Sequence, residues 1–390
     1  VRLWGRTSLW QNGGAYGFRD QLQDVIALLE APPEKLRYEM ARAQILRCAA
    51  RQYTQGDVQH WWHPRRNGMP RGVRTGITDD LLFLPWVTAL YTRSVQDDLL
   101  EVRLPYLESP PLSPDEHDRY EEARYGKLRE SVYEHCVRAL ELIPLRGTGV
   151  HGLLRMGNGD WNDGMDEVQG ESVWLTLFAS AVYRDFAEVA RKCGEEKRAN
   201  RYHDYALGLR LAAERSFQGD RFPRGYYADG KPMGQNGACE IDAIVQAFAA
   251  VAGADGQQVR TALKTAFREL IDEENRVVRL FSPPFTKETP EKPGYIAAYP
   301  PGTRENGGQY THGAVWLAWG AYLAGMQEEG DRIMRILCPT DRDTEVYRSE
   351  PYALCADVYA SPAPAGRGGW SLYTGAAGWY YTIARRFLRN

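Results

Sequence analysis

The stretch Met156-Gly157-Asn158-Gly159-Asp160-Trp161-Asn162-Asp163-Gly164-Met165-Asp166 crowds three carboxylates, three glycines, an indole and asparagine amides into eleven residues. No helix or strand interior tolerates that mixture. Gly and Asn suit backbone positions with φ > 0, and the Asp side chains need solvent, a cation or a polar substrate. It reads as a loop that carries chemistry; the plain alternative is an Asx-turn cluster linking two helices. Directly after it, Glu171-Ser172-Val173-Trp174 opens a long apolar helix to about Cys193.

Upstream, a Gly-rich turn, Trp10 to Gly17, leads into an amphipathic helix over about Arg19–Glu30, stopped by Pro32-Pro33. A second helix follows, with Leu36, Met40, Ala43 and Leu46 at helical spacing. Asp79 and Asp80 open an apolar helix over Leu81 to about Val95, capped by Thr78 and interrupted at Pro85. Residues 97–123 form a Pro-rich connection, in which Ser113-Pro114-Asp115-Glu116 has the capping-box form. A helix is expected near Lys127–Ile143, and helical patterns recur near 197–217, 239–252, 256–270, 311–337 and 371–388. Only short strand-like pieces appear, such as Arg276–Phe281 and the turn around Phe222–Tyr227. Roughly eleven helices with no alternating strands argue against a parallel α/β sheet. Antiparallel helices joined alternately by short and long loops predict an all-α helical toroid over residues 1–390, with its long loops around one mouth.

Forty-eight basic against fifty-one acidic residues give no electrostatic case for binding nucleic acid or an anionic membrane. No run of about 18 apolar residues is present. The six cysteines are scattered without a CxxC pair, which suits a reducing, cytoplasmic setting better than a disulfide framework. The chain opens at Val1 inside dense motif-like sequence and reads as a segment of something longer. Tyr and Trp (23 and 11) far outnumber Phe (11), as expected of surfaces apolar on one side and polar on the other, such as those that meet sugar rings.

Several site readings compete. Arg19 and Asp20 sit where side chains point out of a helix end, although Asp20 also suits the helix dipole. His60 and His63 have metal-pair spacing but no further ligand nearby. Gly147-x-Gly149-x-x-Gly152 follows a helix rather than a strand, so a dinucleotide fingerprint is rejected. Asp160, Asn162 and Glu171 imitate a calcium loop, which fails at Gly164 and Met165. No metal or organic cofactor is expected. In Glu305-Asn306-Gly307-Gly308-Gln309-Tyr310-Thr311-His312, and in the stretch from Gly366-Arg367 to Thr374-Gly375, backbone amides gather at helix starts. Such ends suit a phosphate oxygen, with ordinary capping the equal alternative. An Asp beside a Trp in a loop, with other acids at hand, fits glycosidic-bond chemistry: a carboxyl protonates the leaving oxygen while a nucleophile attacks from the other face.

Gly159–Met165, Tyr16-Gly17-Phe18-Arg19-Asp20, Asp79-Asp80, Glu305–His312 and Thr374-Gly375 together resemble family 94 of the glycoside hydrolases, the inverting cellobiose- and chitobiose-phosphorylase-like enzymes. The linking stretches Pro105–Glu116 and Tyr352–Trp370 look most like the carboxy-terminal phosphorylase-like region of cyclic β-1,2-glucan synthases. The resemblance implies an (α/α)6 barrel without the family's amino-terminal β-sandwich, and it allows a homodimer. It also implies that Asp163 is the general acid, that Trp161, Arg74, Asp80 and Glu305, with Arg19 and Asp20, hold the sugar, and that His312, Thr374 and Gly375 bind phosphate. Arg367 joins the phosphate set by charge alone. Oligo- or polysaccharide and inorganic phosphate are then the co-substrates, and no second carboxylate is needed. An inverting hydrolase would need one, with Glu305 and Asp79 the candidates. A non-catalytic glycan-binding domain is the third reading. The segment is expected in the cytoplasm, alone or as the cytoplasmic part of a membrane-bound synthase.

Overall fold

The computed structural model describes residues 4, 15–32, 34–65, 68–113, 115–362, 364–371 and 374–388, with Thr374 described only in its backbone. The Gly-rich turn at 10–14 lies outside these residues.

Six helices form the inner layer: α1 (Phe18–Glu30), α3 (Asp80–Ser94), α5 (Val173–Lys192), α7 (Ala243–Ala252), α9 (Thr311–Leu323) and α12 (Thr374–Phe387). Each packs on the next, and α12 packs back on α1, so the six close a ring. All but the last residue of α9 is inside, as a helix apolar all round requires. Five one-sided helices pack outside: α2 (Lys35–Ala49), α4 (Val132–Arg146), α6 (Glu196–Arg215), α8 (Gly256–Leu270) and α10 (Gln327–Leu337). In α8 the buried side is Val259, Ala262, Leu263, Ala266, Phe267 and Leu270, one stripe at helical spacing. A four-residue helix, α11 (Thr344–Tyr347), lies in the loop before α12. The architecture is the (α/α)6 toroid. Among the described residues no helix is long and apolar enough to cross a membrane.

Four of the five steps outward from the ring are tight turns, the fifth, from α3 to α4, is the long connection 95–131, and long loops lead back into the ring. Residues 31–34, 193–195, 253–255 and 324–326 join inner to outer helices. Gly253, at φ 72°, closes α7 in the left-handed conformation, and Asp255 then caps α8 through the Gln257 and Gln258 amides at 3.1 and 3.0 Å. The long segments 50–79, 147–172, 216–242, 271–310 and 338–373 all precede inner helices. They therefore gather at the inner helices' N-terminal ends, where dipoles leave partial positive charge.

The β structure lies in these loops, in the connection 95–131 and just before α1. Strands β1 (Tyr16–Gly17), β2 (Gln59–His63), β3 (Arg71–Thr75) and β5 (Asp118–Glu121) form one antiparallel sheet in the order β1-β2-β3-β5. A separate hairpin pairs β4 (Arg103–Glu108) with β6 (Arg124–Ser131).

Four expectations on elements change. Pro85 does not interrupt α3, which runs through it at the cost of one intrahelical hydrogen bond, the helix being held by its burial in the core. The helix expected from Lys127 begins at Val132, because 124–131 pairs as β6 and Ser131 caps the helix by accepting from the Glu134 amide at 3.2 Å. The capping-box tetrad starts no helix: Glu116 accepts from the Ser113 amide at 2.8 Å, but the chain continues into β5. The pattern over 311–337 is two helices, broken at 324–326.

Candidate active site

The loop 156–166 faces two ways. Asp160 is wholly buried and takes both terminal nitrogens of Arg224, the Ser172 hydroxyl at 2.7 Å and the Asn162 amide at 3.2 Å. Arg224 also donates to Asn162 Oδ1 at 3.0 Å and lies 3.4 Å from Asp242, the cap of α7. The chain around this anchor is tightly seated. Gly157 has φ 69°, and a Cβ there would stand 2.2 Å from the Gly76 carbonyl oxygen. The Gly164 carbonyl accepts from the Ile296 amide at 2.9 Å, and a Cβ on Gly164 would meet that same amide. Between these fixed points Asp163 projects outward, its side chain 41% exposed. Asp166 accepts from the Tyr295 amide at 3.0 Å, tying the loop to segment 271–310.

Asp163 points into a cavity of ≈ 330 Å³ at the mouth of the ring. Arg19, Asp20, Trp161, Glu305 and His312, expected around a sugar or phosphate, line it with Asp163. They come from three separate stretches, which only the toroid brings together. Trp161 forms one wall, packed edge-on against Tyr310 and His312 (ring centroids 5.4 Å each) and tilted on Trp316 at 5.0 Å.

Arg19 ties the mouth together. Its Nε lies 3.0 Å from Asp80 Oδ1 and 3.3 Å from Asp79 Oδ2; its terminal nitrogens donate to the Trp161 and Asp160 carbonyls and, at 2.5 Å, to Asp163 Oδ1. Most of its hydrogen-bonding capacity is therefore spent inside the protein. Burial alone would raise the Asp163 pKa, but Arg19 and then His60 outweigh it and hold the carboxyl well below the usual range. Asp20 is pushed up, chiefly by burial. Burial likewise lifts Glu305, against the opposing effect of Arg304 at 3.5 Å.

Asp80 does not line the cavity. It stands behind it, almost fully buried, receiving Arg19 and, at 2.8 Å, His60 Nδ1. Asp79 is fully buried and neither carboxylate oxygen accepts a hydrogen bond; burial raises it well above its ordinary range. Away from the cavity and biased toward the neutral form, Asp79 is poorly placed to activate water. Arg74 is expected beside the sugar but turns away. Its guanidinium pairs with Asp57 (2.5 and 2.7 Å) and donates to Gln55 and to the Ser109 and Pro110 carbonyls, facing a separate polar cavity. A bidentate carboxylate with two carbonyls satisfies a guanidinium fork, leaving no donor for the first cavity.

On the phosphate side, His312 lies in the first turn of α9. Its Nε2 is 2.8 Å from Gln23 Oε1, which also accepts from Trp379 Nε1 at 2.8 Å. An amide oxygen only accepts, so Nε2 carries the hydrogen and Nδ1 is left as an acceptor. Burial, reinforced by Arg19, lowers His312 to about 3 and keeps it neutral. Gly375 is buried at the start of α12, and the Thr374 side chain lies outside the described residues. Arg367 is exposed and does not line the cavity. The guanidinium nearer the mouth is that of Arg304, lying over Tyr299 and Trp370 at 5.7 and 5.0 Å and 3.5 Å from Glu305.

The sequence reading misses His60, Trp61, Tyr295, Tyr299 and Arg304. The first four line the cavity. A signal existed for the first pair. His60-Trp61-Trp62-His63 was weighed only as metal spacing, yet it sits on β2, paired directly with Tyr16-Gly17 beside Arg19. The others lie in a loop whose path has no periodicity to follow.

The family model for the Glycosyl hydrolase 94 superfamily, catalytic domain, matches residues 1–388. The chain belongs to that family. It is 43% identical over 394 residues to the cyclic beta-(1,2)-glucan synthase NdvB of Rhizobium meliloti (strain 1021), covering 97% of this chain and 14% of that protein. It is 25% identical to the solabiose phosphorylase of Paenibacillus borealis, covering 95% of this chain and 46% of that protein. The chain thus spans less than half the length of either relative. A solved wild-type glycosidase shares the fold at a TM-score of 0.60 and 12% identity, covering 98% of this chain and 91% of that one. Family and relatives together make this glycosyl hydrolase 94 domain a protein of glycoside chemistry.

Proposed function

We propose that this domain is an inverting glycoside phosphorylase that cleaves β-glucosidic bonds, β-1,2-glucan foremost, and releases α-glucose 1-phosphate. The observation that carries the reading is one cavity holding a half-exposed Asp163, an aromatic wall and the N-terminal end of α9 with His312. In this reading Trp161 packs on the sugar ring and Glu305 and Asp20 accept from its hydroxyls. Asp163 delivers the proton to the departing oxygen. Phosphate, already anionic, attacks C1 from the opposite face, so no base is required. His312, neutral with Nδ1 free to accept, suits the P–OH of the hydrogenphosphate dianion, while the amides of the helix ends take its anionic oxygens. The preference for β-1,2 linkages follows the 43% identity to a β-1,2-glucan synthase.

A hydrolase on the same scaffold is the competing reading, favoured by Glu305 as a second carboxyl group in the cavity. Incubating the protein with β-1,2- and β-1,4-glucans, with and without phosphate, separates the two. NMR should show α-glucose 1-phosphate only when phosphate is present; free glucose formed equally well without phosphate would sink the proposal. Asp163→Asn is expected to lower the phosphorolysis rate by about 10²–10⁴-fold, the range for a lost general acid.

A further inference from the structure

His60 is held between two carboxylates. Nδ1 is 2.8 Å from Asp80 Oδ2, and Nε2 is 3.4 Å from Asp163 Oδ2. In either neutral tautomer one bare nitrogen lone pair would face a carboxylate oxygen; only the imidazolium turns N–H toward both. Asp80 cannot swing away, because Arg19 grips its other oxygen. Asp163, paired with both Arg19 and His60, is an anion in this state, whereas a general acid must deliver a proton. Its Arg19 neighbour cannot supply one, since a guanidinium does not release its proton in proteins. The Nε2–H of His60 is the remaining proton aimed at it.

We propose that His60 is the positioning residue that stores the proton of the acid step and passes it to Asp163 as the glycosidic oxygen departs. The proposal rests on the phosphorolysis reading. The Nε2–H bond breaks as an O–H bond forms on Asp163, and Asp163 gives a proton to the leaving oxygen. The C1–O bond breaks with its electron pair going to that oxygen, and a phosphate oxygen forms the new bond to C1. Hydrogenphosphate thereby becomes the monoanion of the glucosyl phosphate, whose remaining proton can recharge His60. Burial opposes charge on His60, but Asp80 and then Asp163 outweigh it and raise the imidazole to about 10. Asp80 is lowered despite its burial, by His60 and then Arg19, which fits an ionised anchor. The other titratable groups of this corner are Arg19 and Asp20 on α1 and Asp79 beside Asp80, with Tyr295 across the cavity near Asp163.

The test compares two donors. A β-linked glucose oligomer must have its leaving hydroxyl protonated, whereas β-glucosyl fluoride expels a stable anion. His60→Gln keeps a donor near Asp163 but has no proton to transfer. It should lower phosphorolysis of the oligomer by about 10²-fold, as loss of a proton-transfer partner does, and reduce the fluoride rate far less. Equal losses on both donors would mean a purely structural role and would overturn the proposal, as would no loss on the oligomer. If His60→Gln does not fold, the wild-type pH profile decides: the basic limb should appear with the oligomer and vanish with the fluoride, and identical limbs would overturn the proposal. Wild-type protein that forms no glucose 1-phosphate from either donor is a different failure, that of the phosphorolysis reading itself.

Discussion

Asp160 and Asp163 stand one turn of loop apart, and the fold gives them opposite surroundings. Asp160 is spent on Arg224 and Ser172, while Asp163 meets the cavity with Arg19 and His60 at its back. Titration should report this. Because the folded protein lifts His60 from about 6.5 to about 10, its contribution to stability is complete below pH 6.5 and is lost as pH rises through 10. Wild type should therefore lose melting temperature between pH 7 and 10 more steeply than His60→Gln; parallel curves would refute an imidazolium at this site. His312 has the opposite sign. Lowered to about 3, it costs stability as pH falls below 6.5, and acid melting curves of His312→Gln should be flatter there. Residue chemistry of this kind was half legible in the sequence. The Asp-Trp-Asn-Asp run marked a loop suited to chemistry, and its Trp161 and Asp163 do meet in one cavity. The turned-away Arg74 was not legible, because its partner Asp57 lies 17 residues upstream and meets it only through the pairing of β2 with β3.

At the level of elements, the site depends on a loop that its neighbours leave no room to move. Gly157→Ala would force a Cβ against the Gly76 carbonyl at a φ of 69°. A loss of at least about 1–2 kcal/mol in chemical denaturation is expected, with activity falling further because Asp163 shifts with the loop. Arg224→Met would strand Asp160 and Asp242 without their cation. Removing one partner of a buried pair costs about 3–5 kcal/mol, so a variant as stable as wild type would contradict the role given to Arg224. Helices were legible from their periodicity, whereas neither Thr78 nor the Ser113-to-Glu116 box caps one. Strands were not: β6 places nearly all its side chains at the surface, so it has neither a buried face nor an alternation to betray it. Its identity comes from β4, some twenty residues earlier. The Ser113-to-Glu116 tetrad likewise forms its local hydrogen bond, but no apolar stripe follows to pull a helix onto the core.

Over the whole molecule, closure of the ring depends on contacts between the two ends of the described chain. Gln23 on α1 accepts from His312 on α9 and from Trp379 on α12. Gln23→Leu would leave two buried donors unanswered, at about 1–3 kcal/mol each. Thermal unfolding should show the loss, and phosphate affinity should weaken because His312 loses the bond that orients it. Ring closure itself was legible as alternating short and long connections, broken only by the long α3-to-α4 step; which residues seal it was not, since 289 and 356 positions separate the partners. The return loops have one more consequence. Five of the six inner helices begin where one such segment ends, and the reactive groups hang from these junctions and from the start of α1, while the tight turns lie at the opposite rim. A loop can therefore lengthen, shorten or be exchanged without disturbing the packed ring beneath it. Variation in bond specificity among proteins of this architecture should accordingly be modular, acquired one connecting segment at a time around an unchanged barrel wall.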